Sequence, residues 1–138
     1  GRASGFLARD TFDIDFDNYG PVDFAEFKTV TDNGIPLDVD IQGYFLDDSG
    51  AVLDSLFEEG RRLVEAAPVD GDGNVTGIQT KAAFAEFNAD RFARIKNATQ
   101  VIVNAAFSTN NGGEMSVRAK ADQEVQVRVG VKLGIRNE

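Results

Sequence analysis

Every odd-numbered position from 125 to 135 is aliphatic (Val125, Val127, Val129, Val131, Leu133, Ile135). Between and just beyond them lie Gln126, Arg128, Gly130, Lys132, Gly134 and Arg136. A period of two sends alternate side chains to opposite faces of an extended chain, so this stretch predicts a β-strand with one buried and one wet face. At about 3.3 Å per residue it runs roughly 40 Å, longer than the usual five or six residues, and it needs a partner along its length.

The same alternation recurs upstream. In residues 11–17, Phe12, Ile14 and Phe16 alternate with Asp13, Asp15 and Asp17, which predicts a strand with an acidic outer face. A second strand is expected over 23–31, with Phe24, Phe27 and Val30 as its apolar content. Asp32-Asn33-Gly34 then reads as a hairpin turn. Strands follow over 37–46 (Leu37, Val39, Ile41, Phe45 inward), 51–57 and 61–68, and an extended stretch over 75–87. The period changes at 88–97, where Asn88 is an N-cap candidate and Phe92 and Ile95 mark one face of a short helix. Residues 98–109 alternate again, and Asn110-Asn111-Gly112-Gly113 predicts a last hairpin before the terminal strand.

Seven to eight short strands, turn signals every 8–12 residues and one short helix near 88–97 predict an all-β fold. It is expected to be an immunoglobulin-like antiparallel β-sandwich. At 138 residues without repeat or linker, one sandwich domain over 11–138 is expected, preceded by a glycine-rich tail (residues 1–10) held by a partner. A chain starting at Gly1 is read as a processed terminus or an excised fragment.

Composition narrows the chemistry. Cys, His and Trp are absent, which removes disulfides, thiolate nucleophiles and the usual transition-metal ligands. No enzyme, cofactor or metal is expected. The 23 acidic residues outnumber the 14 basic ones. Their distribution is uneven: residues 1–59 carry −11 and residues 60–138 carry +2. Such a balance argues against nucleic acid, which needs clustered Lys and Arg. No stretch of 18 apolar residues predicts a membrane span.

Asp70-Gly71-Asp72-Gly73-Asn74 begins like a calcium loop, but Val75 and Lys81 occupy the positions that require Gly and Glu, so a plain hairpin loop is favoured. Asp38 and Asp40, like Asp13, Asp15 and Asp17, are read first as solvated or edge-protecting charges. Asp54-Ser55-Leu56 fits a short O-glycosylation pattern of the Bacteroidota, which makes Ser55 a candidate glycan acceptor. Asn74-Val75-Thr76 and Asn97-Ala98-Thr99 are formal N-glycosylation sequons.

Several longer stretches are similar in wording to a β-sandwich domain of Bacteroidota cell-surface and outer-membrane-associated proteins. They are Asn33-Gly34-Ile35-Pro36-Leu37-Asp38-Val39, residues 44–57 (with Leu53-Asp54-Ser55-Leu56-Phe57), Ala66-Ala67-Pro68-Val69-Asp70, Lys96-Asn97-Ala98 and the ending at 129–135. The resemblance covers roughly residues 24–135. It implies an exported, surface-associated sandwich and supplies no catalytic residues.

Arg128, Lys132 and Arg136 form a cationic row on the terminal strand, complementary to the acidic 11–17 segment. Opposite charges across paired strands fix partner and register. The expectation is an extracellular structural or adhesive subunit that self-associates into a filament or surface array. A neighbour's Phe6, Leu7, Phe12, Ile14 and Phe16 would complete the sheet beside the terminal strand, within one subunit or between neighbours. On that reading, removal of residues 1–17 leaves a folded monomer. The alternative is a surface binding module for a polysaccharide or protein, whose expected signature is exposed aromatics on a flat face.

Overall fold

A computed structural model describes residues 6–19, 21–58, 60–108 and 124–135. In chain order the strands are β1 (Phe6–Asp13), β2 (Val22–Asn33), β3 (Asp38–Leu46), β4 (Val52–Ser55), β5 (Arg62–Val64), β6 (Gln79–Phe87), β7 (Gln100–Ser108) and β8 (Val125–Ile135). A 3-10 turn (Phe16–Tyr19) follows β1, and helix α1 (Ala89–Ile95) joins β6 to β7. One sheet has the order β1-β7-β3-β4, with β5 also on β3, and the other is β6-β2-β8. Every pairing is antiparallel. The expected all-β sandwich with one short helix is the fold.

The two sheets close over an aromatic centre. Phe27, Phe45 and Phe87 lie 5.2–5.5 Å apart in tilted or edge-to-face contact. Phe16 extends the cluster to Phe92 on the helix at 5.1 Å. Such rings carry much of the buried apolar area, and each edge meets the electron-rich face of the next. Asn88 caps α1 as its sequence position predicts, its side chain accepting the Arg91 N–H at 2.9 Å.

Three sequence expectations are corrected. The Asp32-Asn33-Gly34 step is not a hairpin: β2 and β3 belong to different sheets, so the chain crosses the sandwich there. Asn33 is fully buried, donating through Nδ2 to Leu37 O (2.8 Å) and Glu65 O (3.0 Å) and accepting from Ile35 N–H (3.0 Å). A side chain that satisfies three backbone groups builds a corner that a two-residue turn cannot. The expected 110–113 hairpin lies outside the described residues, but β7 and β8, which flank it, also sit in different sheets. The strand expected over 11–17 instead spans 6–13, so residues 6–10 belong to the sheet rather than to a tail. Ile14 N–H still bonds Thr99 O (3.0 Å), but Asp15 Oδ1 then accepts the Asp17 N–H (3.0 Å) and the chain turns, burying Phe16.

The register of β2, which the sequence leaves open, is set by its odd-numbered positions. Ala25, Phe27, Thr29, Thr31 and Asn33 are buried, while Phe24 is exposed. Among the described residues no buried side-chain nitrogen or oxygen lacks a hydrogen-bond partner.

Candidate assembly interface

The terminal strands do not pair with each other. β1 runs in register against β7 from Phe6↔Phe107 to Asp13↔Gln100, eight rungs in all. β8 pairs with β2 from Val22↔Ile135 to Asn33↔Val125. Each is the edge of its own sheet, with no ladder on its outer side among the described residues. They nevertheless stand on the same flank of the sandwich. A cleft of about 380 Å³ separates them, lined by Phe12, Val103, Ala105, Phe107, Val125 and Val127, with Arg9, Asp10 and Ile35 also facing it. A charged residue such as Asp10 inside an edge strand discourages indiscriminate pairing.

The expected charge complementarity is met differently from the sequence reading. Arg128 Nη2 lies 3.1 Å from Asp32 Oδ2, and Lys132 stands opposite Glu26, so the cations of β8 face carboxylates of β2 in the same chain. Asp13 ends β1 in an exposed position, and Asp15 and Asp17 lie beyond it in the turn rather than in a ladder. Arg136 is outside the described residues. Of the residues singled out in the sequence, Phe12 is brought to the same cleft as the base of β8. Phe6 and Leu7 are placed by their backbone opposite Phe107 and Ala106. Ile14 packs half-buried on the core, and Phe16 is part of it.

Two side-chain groups escaped sequence reading. Arg91 is a buried clamp: it meets Asp54 Oδ2 at 3.3 Å through Nε, donates to the carbonyls of Glu86, Ser55 and Leu56, and stacks 3.6 Å from the Phe87 ring centroid. An Arg two positions into a capped helix, in line with Phe92 and Ile95, was the available signal. The clamp also gives Asp54-Ser55-Leu56 a structural reason. Asp54 pairs with Arg91, Leu56 is buried, and Ser55 is half-buried on β4.

The second group is on the outer face of the three-stranded sheet. Phe24 (47% exposed) and Phe84 (54%) face outward, with Lys28 Nζ 5.6 Å from the Phe84 ring. An added Cβ on Gly134 would meet the Phe24 ring, so glycine there lets the ring lie flat across β8. A depression of about 580 Å³ adjoins Phe24 and takes in Asp23, Glu26, Glu86, Asn88 and Lys132.

The acidic loops are organised by their own backbone. Asp70 Oδ1 accepts the N–H groups of Asp72 and Asn74. Asp47 Oδ1 accepts the Ser49 hydroxyl at 2.6 Å and the N–H groups of Ser49 and Ala51. The Ser49 hydroxyl, aided by the Ala51 N–H, holds the Asp47 carboxyl below its ordinary range. Among the described residues no group of three or more acidic side chains is placed to hold a metal ion. No helix there is long and apolar enough to cross a membrane.

No protein-family model and no curated protein matches the chain. Among solved structures it is similar to a protein of Parabacteroides distasonis ATCC 8503 inferred to be secreted. The identity is 15% and the TM-score 0.63, over 94% of this chain and 38% of that one. It also aligns with the VP2 subviral particle of infectious bursal disease virus, at 13% identity and TM-score 0.48 over 92% of this chain and 26% of that one. The viral likeness is too distant to carry an argument. The bacterial one shows a shared fold, in which this chain spans well under half of its neighbour.

Proposed function

We propose that the chain is a non-enzymatic extracellular domain that serves as a structural or adhesive subunit and associates with further copies by exchanging its first strand. The observation that carries this is the β1–β7 ladder. The groove beside β7 accepts residues 6–13 of this same sequence over eight rungs, and β1 makes no second ladder among the described residues. A neighbour's β1 presents the identical segment, so exchange preserves every rung and is a low-cost route to association. Repeated head-to-tail exchange does not close on itself and yields filaments. The similarity in fold to a protein inferred to be secreted supports an extracellular setting.

The test is concentration-dependent sedimentation of the full chain and of a form lacking residues 1–13. Residues 14–17 must be kept, because Phe16 lies against Phe27 and Phe92. Strand exchange requires the full chain to form larger species as concentration rises, and requires the truncated form to bind a peptide of residues 1–13 in trans. A full chain that stays monomeric throughout, or truncated protein that assembles as before, contradicts it.

Phe24 and Phe84 favour a second reading, a surface module for a polysaccharide or protein, because two exposed aromatics on a flat sheet face are what such a module needs. A glycan array without hits, or hits unaffected by Phe84→Ala, removes it.

A further inference from the structure

Asn33 is followed by Gly34 at the crossing from one sheet to the other. Its amide ties three places together: the end of β2, the start of β3 at Leu37 O, and the chain beyond β5 at Glu65 O. The Gly34 N–H is itself engaged, donating to Glu124 O at 2.9 Å just before β8. Asparagine is a thermolabile residue, and glycine after it leaves the next backbone nitrogen sterically free to reach the side-chain carbon.

We infer that Asn33 is a deamidation site that the folded state closes and the unfolded state opens, so that unfolding becomes irreversible once the amide is lost. In the open chain the Gly34 nitrogen, having given its proton to solvent, attacks Asn33 Cγ. The new N–Cγ bond forms, the Cγ–Nδ2 bond breaks, and the nitrogen leaves as ammonia with protons from solvent. Water then opens the cyclic imide at either carbonyl, leaving an aspartyl or isoaspartyl residue at position 33.

Folding blocks each requirement. The attacking N–H is held by Glu124 O, the Asn33 oxygen and nitrogen are both fixed by backbone partners, and the Asn33 side chain is closed to water. The product cannot return to the corner. A carboxylate has no N–H to offer Leu37 O and Glu65 O, and it would be buried facing both carbonyls. The isoaspartyl form also lengthens the backbone by one carbon at the point where the two sheets are joined. A copy that stays unfolded long enough is thereby removed from the folding pool, whatever the domain binds.

The experiment follows position 33 by peptide mapping and mass spectrometry while the full chain is held at a series of urea concentrations. If reaction waits on global opening, the folded chain loses the amide at least about 10³-fold more slowly than the unfolded chain. The logarithm of the rate then rises linearly with urea, with the slope of the unfolding equilibrium. On dilution, chains modified at position 33 stay unfolded and chains that keep Asn33 refold. Gly34→Ala, which hinders the attack, must slow loss of the amide from the unfolded chain, a rate read without refolding, since an added Cβ would stand 3.1 Å from Glu124 O in the folded state. Folded-state loss within about tenfold of the unfolded rate, or a rate independent of urea, overturns the inference. So does an Asn33→Asp variant that folds with unchanged cooperativity.

Discussion

Arg91 and Asp54 join helix α1 to strand β4 through a 3.3 Å contact between Nε and Oδ2, with the guanidinium stacked on Phe87. The same guanidinium serves the carbonyls of Glu86, Ser55 and Leu56, so its removal strands several buried acceptors at once. Arg91→Leu is expected to cost about 3 kcal/mol, lowering Tm by about 10 °C in a domain of this size. Arg91→Lys keeps the charge but not the planar fork, and should lose about half as much. Urea or thermal unfolding measures both. Equal losses for the two variants would mean that charge alone plays no part in the clamp.

Arg128 and Asp32 make the contrasting case. Their 3.1 Å contact lies at the surface, with the Arg128 side chain 66% exposed, so it is worth at most about 1 kcal/mol and weakens with salt. Arg128→Ala should therefore leave Tm within a few degrees of the parent and leave self-association unchanged, since the contact is made within one chain. Loss of assembly in this variant, read by sedimentation, would restore the cationic row of β8 to the interface.

Gly43 has Leu56 in the space where a side chain would stand: an added Cβ would lie 3.0 Å from Leu56 Cβ and 3.2 Å from its Cδ2. Leu56 is fully buried and its N–H donates to Gly43 O at 2.8 Å, so neither partner can move away. Gly43→Ala should destabilise by about 1–3 kcal/mol through overpacking, measured as a fall in the urea midpoint without a change in slope.

Asp47 sets a weak acid dependence. Its folded-state carboxyl titrates below the ordinary value of 3.8, chiefly because of the Ser49 hydroxyl. A lowered pKa means that the unfolded chain takes up this proton first. Its contribution to stability is thus present above pH 3.8 and is lost as pH falls through the folded value. Ser49→Ala should move the carboxyl back toward 3.8, which a carbon-detected NMR titration reads directly.

These residues also show what the sequence makes legible. Alternation located the span of β8, although Val131 and Ile135 of its expected inner face stay exposed, and an Asn before a helical period located the cap of α1, because both signals are local. Period two, however, says which residues share a face and nothing about which strand lies alongside. The sequence alone therefore sets the cations of β8 against residues 11–17, whereas the fold sets Lys132 opposite Glu26 and Arg128 against Asp32 of β2. Asn33-Gly34 carries a turn signal, yet a buried amide bonded to Leu37 and Glu65 overrides it through contacts that are distant in sequence. Phe24 counts as apolar content of its strand in the sequence, and parity alone does not say which face is inside. Thr29 and Thr31 took the buried positions on β2.

The central claim, that the first strand is exchanged between copies, is tested most directly by pairing two new cysteines in a chain that has none. Arg9 and Asn104 stand opposite each other in the β1–β7 ladder, their side chains already joined at 3.2 Å, so the doubly substituted Arg9→Cys/Asn104→Cys chain can form a disulfide across that rung. Oxidation at rising protein concentration, followed by non-reducing electrophoresis, shows whether the bond lies within or between chains. Strand exchange predicts a covalent ladder of dimers and higher species that grows with concentration. A single monomeric band at every concentration, with the thiols consumed, would contradict it.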